Sequence, residues 1–380
     1  MGDYVRQMPH QGSQDLARPP SAATRFHIDI PLLVLLLILT AYGLFVLYSA
    51  SGQDMGAVIR QGRYFLVAYV IMICGAQISL LRYMRWAPWL YLLGVGTLLA
   101  VMFFGVGAKG AQRWLSIGGF RFQPSEIMKL VVPMAVAWYL AERTLPPRFV
   151  FVIVSLGLVG LPAALILQQP DLGTALLIAA SGLFVLFMAG IGWRYMFGAA
   201  LLAVASAWPA WMFVLKDYQK QRILTMLDPE SDKLGAGWNI IQSKTAIGSG
   251  GWQGKGWLQG TQSRLDFLPE SHTDFIIAVL AEEHGLRGVL LLVSLYLLIL
   301  LRGFWIGLRA QSSYGRMMAG SLTLTFFVYV FVNMGMVAGL LPVVGVPLPL
   351  VSAGGTSIVT LMAGFGILMA VSTEKRMVSQ

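Results

Sequence analysis

Residues 30–49, IPLLVLLLILTAYGLFVLYS, contain no charged side chain. A helix needs about 20 predominantly apolar residues to cross the hydrocarbon core of a bilayer, so this stretch reads as a membrane span. Further candidate spans lie at 64–80, 86–104, 124–141, 149–167, 172–189, 195–215, 274–300, 317–338 and 353–371. The expected fold is therefore all-α: a polytopic membrane protein with about ten transmembrane helices. Composition agrees. The 380 residues are 57% hydrophobic and 12% charged, where soluble domains carry about 25% charged residues.

The composition also excludes several function classes. One cysteine, Cys74, cannot form an intrachain disulfide. The four histidines, His10, His27, His272 and His284, show no zinc-ligand spacing. No Walker loop or dinucleotide fingerprint is present, which argues against a nucleotide-driven pump. The net charge of +10 fits cationic loops beside anionic lipid head groups better than a nucleic-acid partner.

Basic residues set the expected orientation. With the N-terminus inside, the inner segments hold Arg82, Arg85, Arg143, Arg148, Arg194, Arg302, Arg309 and Arg316, and the short outer segments hold only Arg60, Arg63, Lys109, Arg113 and Arg121. That bias places both termini in the cytoplasm. Residues 1–27, polar and without a signal peptide's apolar core, read as a disordered cytoplasmic tail; 28–372 form the membrane domain, and 373–380 a second cytoplasmic tail.

Three outer segments stand out. The first is 105–123, GVGAKGAQRWLSIGGFRFQ. The second is the long loop 216–272, with two short amphipathic helices expected around Ile223–Leu227 and Ile240–Ile247. Its seven basic residues argue mildly against the orientation, but long loops are weak topological determinants. The third, 339–352, is apolar but broken by three prolines, the pattern of a re-entrant segment.

Ionisable residues at membrane depth are costly and each needs a reason. Glu126 and Lys129 share a helix face at i, i+3, either neutralising one another or facing a cavity that takes an anionic group. Asp171 and Asp274 each precede an apolar run. Each reads as a helix N-cap or as a carboxylate at a cavity mouth, and Asp274 there is a candidate general base. Glu282, Glu283 and His284 fall inside a span, which is tolerable only if the helix breaks or lines a wet cavity there. Trp114, Trp238, Trp252 and Trp257 are interface anchors or platforms for a sugar face. From the residues alone an enzyme acting on a membrane-anchored substrate, a transporter and a membrane scaffold all remain open.

Several motifs together resemble the SEDS (shape, elongation, division and sporulation) family of bacterial membrane proteins. They are YSASGQD at 48–54, KGAQRWL at 109–115, RFQPSEIMK at 121–129, QPDLGTAL at 169–176, LDPESDKLGAGW at 227–238, the run from IGSGGWQGKGWLQG to FIIAVLAEE at 247–283, and GLLPVVGVPLPLVSAGG at 339–355. The likeness runs from about residue 28 to the C-terminus, and GKGWLQGTQS is closer to elongation members than to division members. One departure is VSAGGT at 351–356, where the family often has VSYGGS; an aromatic hydroxyl is missing at Ala353.

The resemblance implies a peptidoglycan glycosyltransferase. Its substrate would be lipid II, a disaccharide-pentapeptide on undecaprenyl pyrophosphate, polymerised at the outer face of the cytoplasmic membrane beside a class B penicillin-binding protein. The family's essential aspartate falls on Asp274, and the charged pair of its FQPSE-x-x-K motif on Glu126 and Lys129. Arg113, Arg121, Trp114 and Asp171 are the further candidate substrate-binding residues. A divalent cation such as Mg or Mn is a possible cofactor, although the sequence shows no dedicated cage for it. A lipid II flippase is the alternative reading.

Overall fold

The computed structural model describes residues 27–108, 111–117, 120–232, 235–261 and 270–374. Most of the two expected tails, 1–26 and 375–380, lies outside the described residues. Helix α1 spans Ile30–Ala50, α2 Met55–Ala76 and α3 Leu80–Phe104. After a small sheet come α4 (Pro124–Ala141), α5 (Phe149–Gln168), α6 (Leu172–Met188) and α7 (Trp193–Pro209), which runs on into a π-turn. Two helices of the long segment follow, α8 (Asp217–Leu227) and α9 (Ala236–Gly250), then α10 (Ile276–Arg309), α11 (Ser313–Val337) and α12 (Thr356–Ser372).

Each of the ten candidate spans corresponds to one helix. Seven described helices are long and apolar enough to cross a membrane, and α6 and α12 are shorter apolar helices. Helix α4 carries Glu126 and Lys129 and is the most enclosed part of the bundle. From Pro124 to Ala137 every residue but Ile127 and Leu130 is buried. That burial takes its charges out of contact with lipid, which is how a span tolerates them. Helix α7 is the opposite case, with none of its residues buried. The far end of the bundle is tied by Asp29. It caps α1 through Leu32 N and pairs with Arg302 of α10 at 2.7 Å.

Three features near the other end depart from plain helices. First, the segment after α3 forms a three-stranded antiparallel sheet, β1 (Val106–Ala108), β2 (Ala111–Ile117) and β3 (Phe120–Phe122), an exception within the all-α expectation. It leads directly into the N-terminus of α4.

Second, α10 breaks where its charges cluster. Gly285 takes φ 63°, ψ −162°, a left-handed conformation that glycine adopts without a Cβ penalty. The break frees backbone groups, and residues 251–256 satisfy them. Lys255 N donates to Glu282 O and Gly256 N to Glu283 O, both at 3.0 Å, and Leu286 N donates to Gly251 O at 2.9 Å. The side chains are matched too. Glu282, fully buried, accepts from Lys255 Nζ at 2.7 Å, Thr261 N at 2.8 Å and Thr261 Oγ1 at 2.9 Å, while Glu283 accepts from Ser49 Oγ at 2.5 Å. Of the two ways to tolerate these residues in a span, the helix takes the first: it breaks.

Third, 339–355 is an irregular segment, and its stretch from Val346 to Ser352 is largely buried in protein. Asn333 Nδ2 donates to Val346 O at 2.8 Å, Tyr296 Oη to Pro349 O at 2.7 Å, and Leu348 N to Ser352 Oγ at 2.9 Å. Irregular backbone at membrane depth is tolerated in this way, with its polar groups matched by protein.

Candidate active site

The site begins at the N-terminus of α4. Gln123 is the N-cap residue, Pro124 opens the helix, and Glu126 lies in its first turn, where the helix dipole favours a negative charge. One turn on, Lys129 Nζ lies 2.6 Å from Glu126 Oε1. Thr360 Oγ1 of α12 donates to Glu126 Oε2 at 3.2 Å, and Lys129 Nζ sits 5.1 Å from the centroid of the Tyr329 ring. The pair neutralises itself, and both members also line a cavity. The two readings of this pair are compatible.

Asp171 likewise combines two roles. Its Oδ1 accepts from Thr174 N at 3.2 Å, capping α6. Its Oδ2 accepts from Gln123 Nε2 at 3.3 Å and lies 3.8 Å from Arg113 Nε. Arg113, on β2, also donates to the carbonyls of Gln169 and Pro170. The small sheet thereby sets Arg113 and Trp114 against the start of α6.

Asp274 is not the cap of α10. The N-cap position is Phe275, with no side-chain cap. Asp274 lies instead in the turn that precedes the helix, and its backbone is held from two sides. Asn333 Nδ2 of α11 donates to Asp274 O at 2.9 Å. Ser352 Oγ donates to Thr273 O at 2.5 Å, and Ala353 N to His272 O at 2.9 Å. A Cβ built on Gly345 would lie 3.6 Å from Asp274 Oδ2, and Gly345 has φ +74°. A side chain there would be strained by the left-handed backbone and would lie in contact with the carboxylate.

These elements enclose one cavity of about 600 Å³. Arg113, Trp114, Glu126, Lys129, Asp171 and Asp274 all line it, although 161 positions separate the first from the last along the chain. Arg121 lies on β3; its side chain is outside those described. Sequence reasoning missed Arg222 on α8, Asn239 on α9, and Gln123, Glu270 and Tyr329 in the same lining. The helical pattern around Arg222 signalled only an amphipathic helix, and Asn239 had no signal at all. Trp252 and Trp257 lie elsewhere. Trp257 stacks on Phe45 of α1 at 4.9 Å, and both tryptophans are exposed. Among the described residues no group of three His, Cys, Asp or Glu is placed to cage a metal ion.

Four carboxylates (Glu126, Asp171, Glu270 and Asp274) and three cations (Arg113, Lys129 and Arg222) face one space that is half polar and half apolar in its lining residues. The sequence profile of the cell cycle protein family FtsW/RodA/SpoVE matches residues 30–377. The chain belongs to this family. A FtsW/RodA/SpoVE relative, the peptidoglycan glycosyltransferase MrdB of Escherichia coli K12, is 54% identical over 357 residues, covering 94% of this chain and 96% of MrdB. The probable peptidoglycan glycosyltransferase FtsW of Geobacter metallireducens is 38% identical, covering 92% and 95%.

Among solved structures, a chain of a peptidoglycan synthase complex that coordinates polymerization and crosslinking superposes with a TM-score of 0.80. It is 31% identical, with 92% of this chain and 98% of that chain covered. The rod shape determining protein RodA of Thermus thermophilus superposes with a TM-score of 0.68 at 28% identity, covering 90% and 96%.

Proposed function

We propose that this multi-pass membrane protein is a peptidoglycan glycosyltransferase that polymerises lipid II, with Asp274 as general base. The observation that carries the reading is a cavity lined both by a carboxylate, Asp274, and by the cationic side chains of Lys129 on α4 and Arg113 on β2. Glycosyl transfer from a lipid pyrophosphate needs both. The acceptor hydroxyl gives its proton to the Asp274 carboxylate as its oxygen bonds to the donor's anomeric carbon. The bond from that carbon to the pyrophosphate oxygen breaks, and the electron pair leaves with the pyrophosphate. General-base help of this kind contributes about 10²–10⁴-fold. Lys129, Arg113 and Arg121 meet the growing negative charge. Lys129 and Arg113 already stand opposite Glu126 and Asp171, so they hold their positions before the substrate arrives. Attack opposite the leaving group inverts the anomeric centre and turns an α-linked donor into a β-1,4 linkage.

The 54% identity to MrdB, against 38% to FtsW of G. metallireducens, supports a role in elongation. The cavity end faces outward from the cytoplasmic membrane, with both termini inside, as the Lys and Arg bias indicates. A class B penicillin-binding protein is the proposed partner, supported by the fold shared with a chain of a synthase complex that couples polymerization to crosslinking.

The flippase reading is not favoured, because the curated relatives are named glycosyltransferases. Purified protein in detergent separates the two. A polymerase converts lipid II to glycan strands with no bilayer present, whereas a flippase yields no polymer there.

A further inference from the structure

The cavity's cations are not equivalent. Lys129 lies 2.6 Å from Glu126 and Arg113 3.8 Å from Asp171, so each stands opposite a carboxylate. Arg222, half-buried on α8, makes no ion pair with any described residue. Its guanidinium carbon lies 5.9 Å from the ring centroid of Tyr218, one turn back on the same helix. A guanidinium beside an aromatic ring, and not committed to an acid, keeps its planar fork of donors for a ligand. A second observation comes from the other helix of the long segment. Asn239 of α9 lines the same cavity, and its Oδ1 is buried with no hydrogen-bond partner among the described residues. A buried acceptor left unmatched is destabilising, a penalty that a donor on a ligand removes.

Resting on the glycosyltransferase reading above, we propose that Arg222 and Asn239 form a substrate-recognition site contributed by the long segment. Arg222 binds an oxyanion of the lipid-linked substrate, and Asn239 accepts from an N–H or O–H of the same molecule. Neither residue takes part in bond making. The site instead gives the long segment a role in binding, separate from the charged pair on α4. Two parts of lipid II carry oxyanions, the pyrophosphate and the carboxylates of the stem peptide, and both present the planar or tetrahedral oxygen pairs that a guanidinium fork matches.

Lipid II affinity of the full chain in detergent micelles tests this, measured in an Asp274→Asn background so that turnover does not interfere. Arg222→Gln is expected to weaken binding about tenfold or more, the effect of losing one charge-assisted hydrogen-bonded contact. Arg222→Lys is expected to recover part of that loss, and Asn239→Ala to weaken binding several-fold. In the active protein, Arg222→Gln then raises KM with kcat nearly unchanged. Leu224 and Leu227 of α8 are exposed, so this helix does not hold the core together and its variants are expected to fold. Repeating the binding with lipid II whose stem carboxylates are amidated locates the oxyanion. A loss that disappears assigns the peptide, and one that persists assigns the pyrophosphate. Affinity unchanged within about twofold in Arg222→Gln overturns the inference. That result leaves the glycosyltransferase reading intact, because the latter fails only if the native protein makes no polymer.

Discussion

Asn333 holds Asp274 in place: its Nδ2 donates to Asp274 O at 2.9 Å and, with its other hydrogen, to Val346 O at 2.8 Å. One fully buried side chain on α11 thus joins the turn carrying the proposed base to the irregular segment beside it. Replacing Asn333 with Leu removes both donors and leaves two carbonyls unmatched. A displacement of about 1 Å costs a catalytic group about 10²-fold. Asn333→Leu is therefore expected to lower kcat about a hundredfold with lipid II affinity largely kept. Steady-state kinetics and binding on the same preparation check this; a KM effect with kcat unchanged would assign Asn333 to substrate contact.

The Glu126–Lys129 pair separates stability from activity. Lys129→Met leaves a carboxylate buried without its cation, and removing one partner of a buried pair costs about 3–5 kcal/mol. The double variant Glu126→Gln, Lys129→Met has no such orphan charge. It is expected to recover most of the thermal stability lost by Lys129→Met while remaining inactive, because the cation proposed to meet the pyrophosphate is still missing. Melting in detergent alongside the polymerisation assay reads both properties.

The break in α10 depends on charge matching at Glu282. Lys255→Met removes the ammonium from a carboxylate that is fully buried and that also accepts from the backbone and hydroxyl of Thr261. Lys255 is itself partly exposed, so the loss is expected at the lower end of buried-pair values, about 2–3 kcal/mol. Proteolysis of the 251–261 stretch is expected to be faster in this variant than in the native protein, as that stretch detaches from α10. An unchanged cleavage rate would show that the stretch is held without the Lys255 ammonium.

Much of this architecture was legible in the sequence because a membrane span needs only length and apolar composition. The ten candidate spans follow from that, and the i, i+3 spacing of Glu126 and Lys129 puts the charged pair on one face of α4. What escaped had weaker local signals. The sheet at 106–122 has short apolar and aromatic runs bounded by Lys-Gly and Gly-Gly pairs, a strand pattern hidden among far stronger span signals. The break at Gly285 depends on residues 251–256 arriving to replace its lost hydrogen bonds, a tertiary event that no helical period reveals. Asp274 read equally well as a helix cap; the turn that carries it instead is set by Asn333 and Ser352, more than 55 positions away in the chain. The pattern around Arg222 signalled only an amphipathic helix, and its place in the cavity lining is a tertiary fact.

In the proposed reaction the Asp274 carboxylate takes the acceptor's proton. The most direct measurement is the rate of glycan formation from lipid II in detergent by Asp274→Asn, in protein shown to melt as the native protein does and to bind lipid II with native affinity. A fall of about 10²-fold or more is expected, the contribution of a general base, with affinity retained. Polymerisation at the native rate by that folded, substrate-bound variant would contradict it.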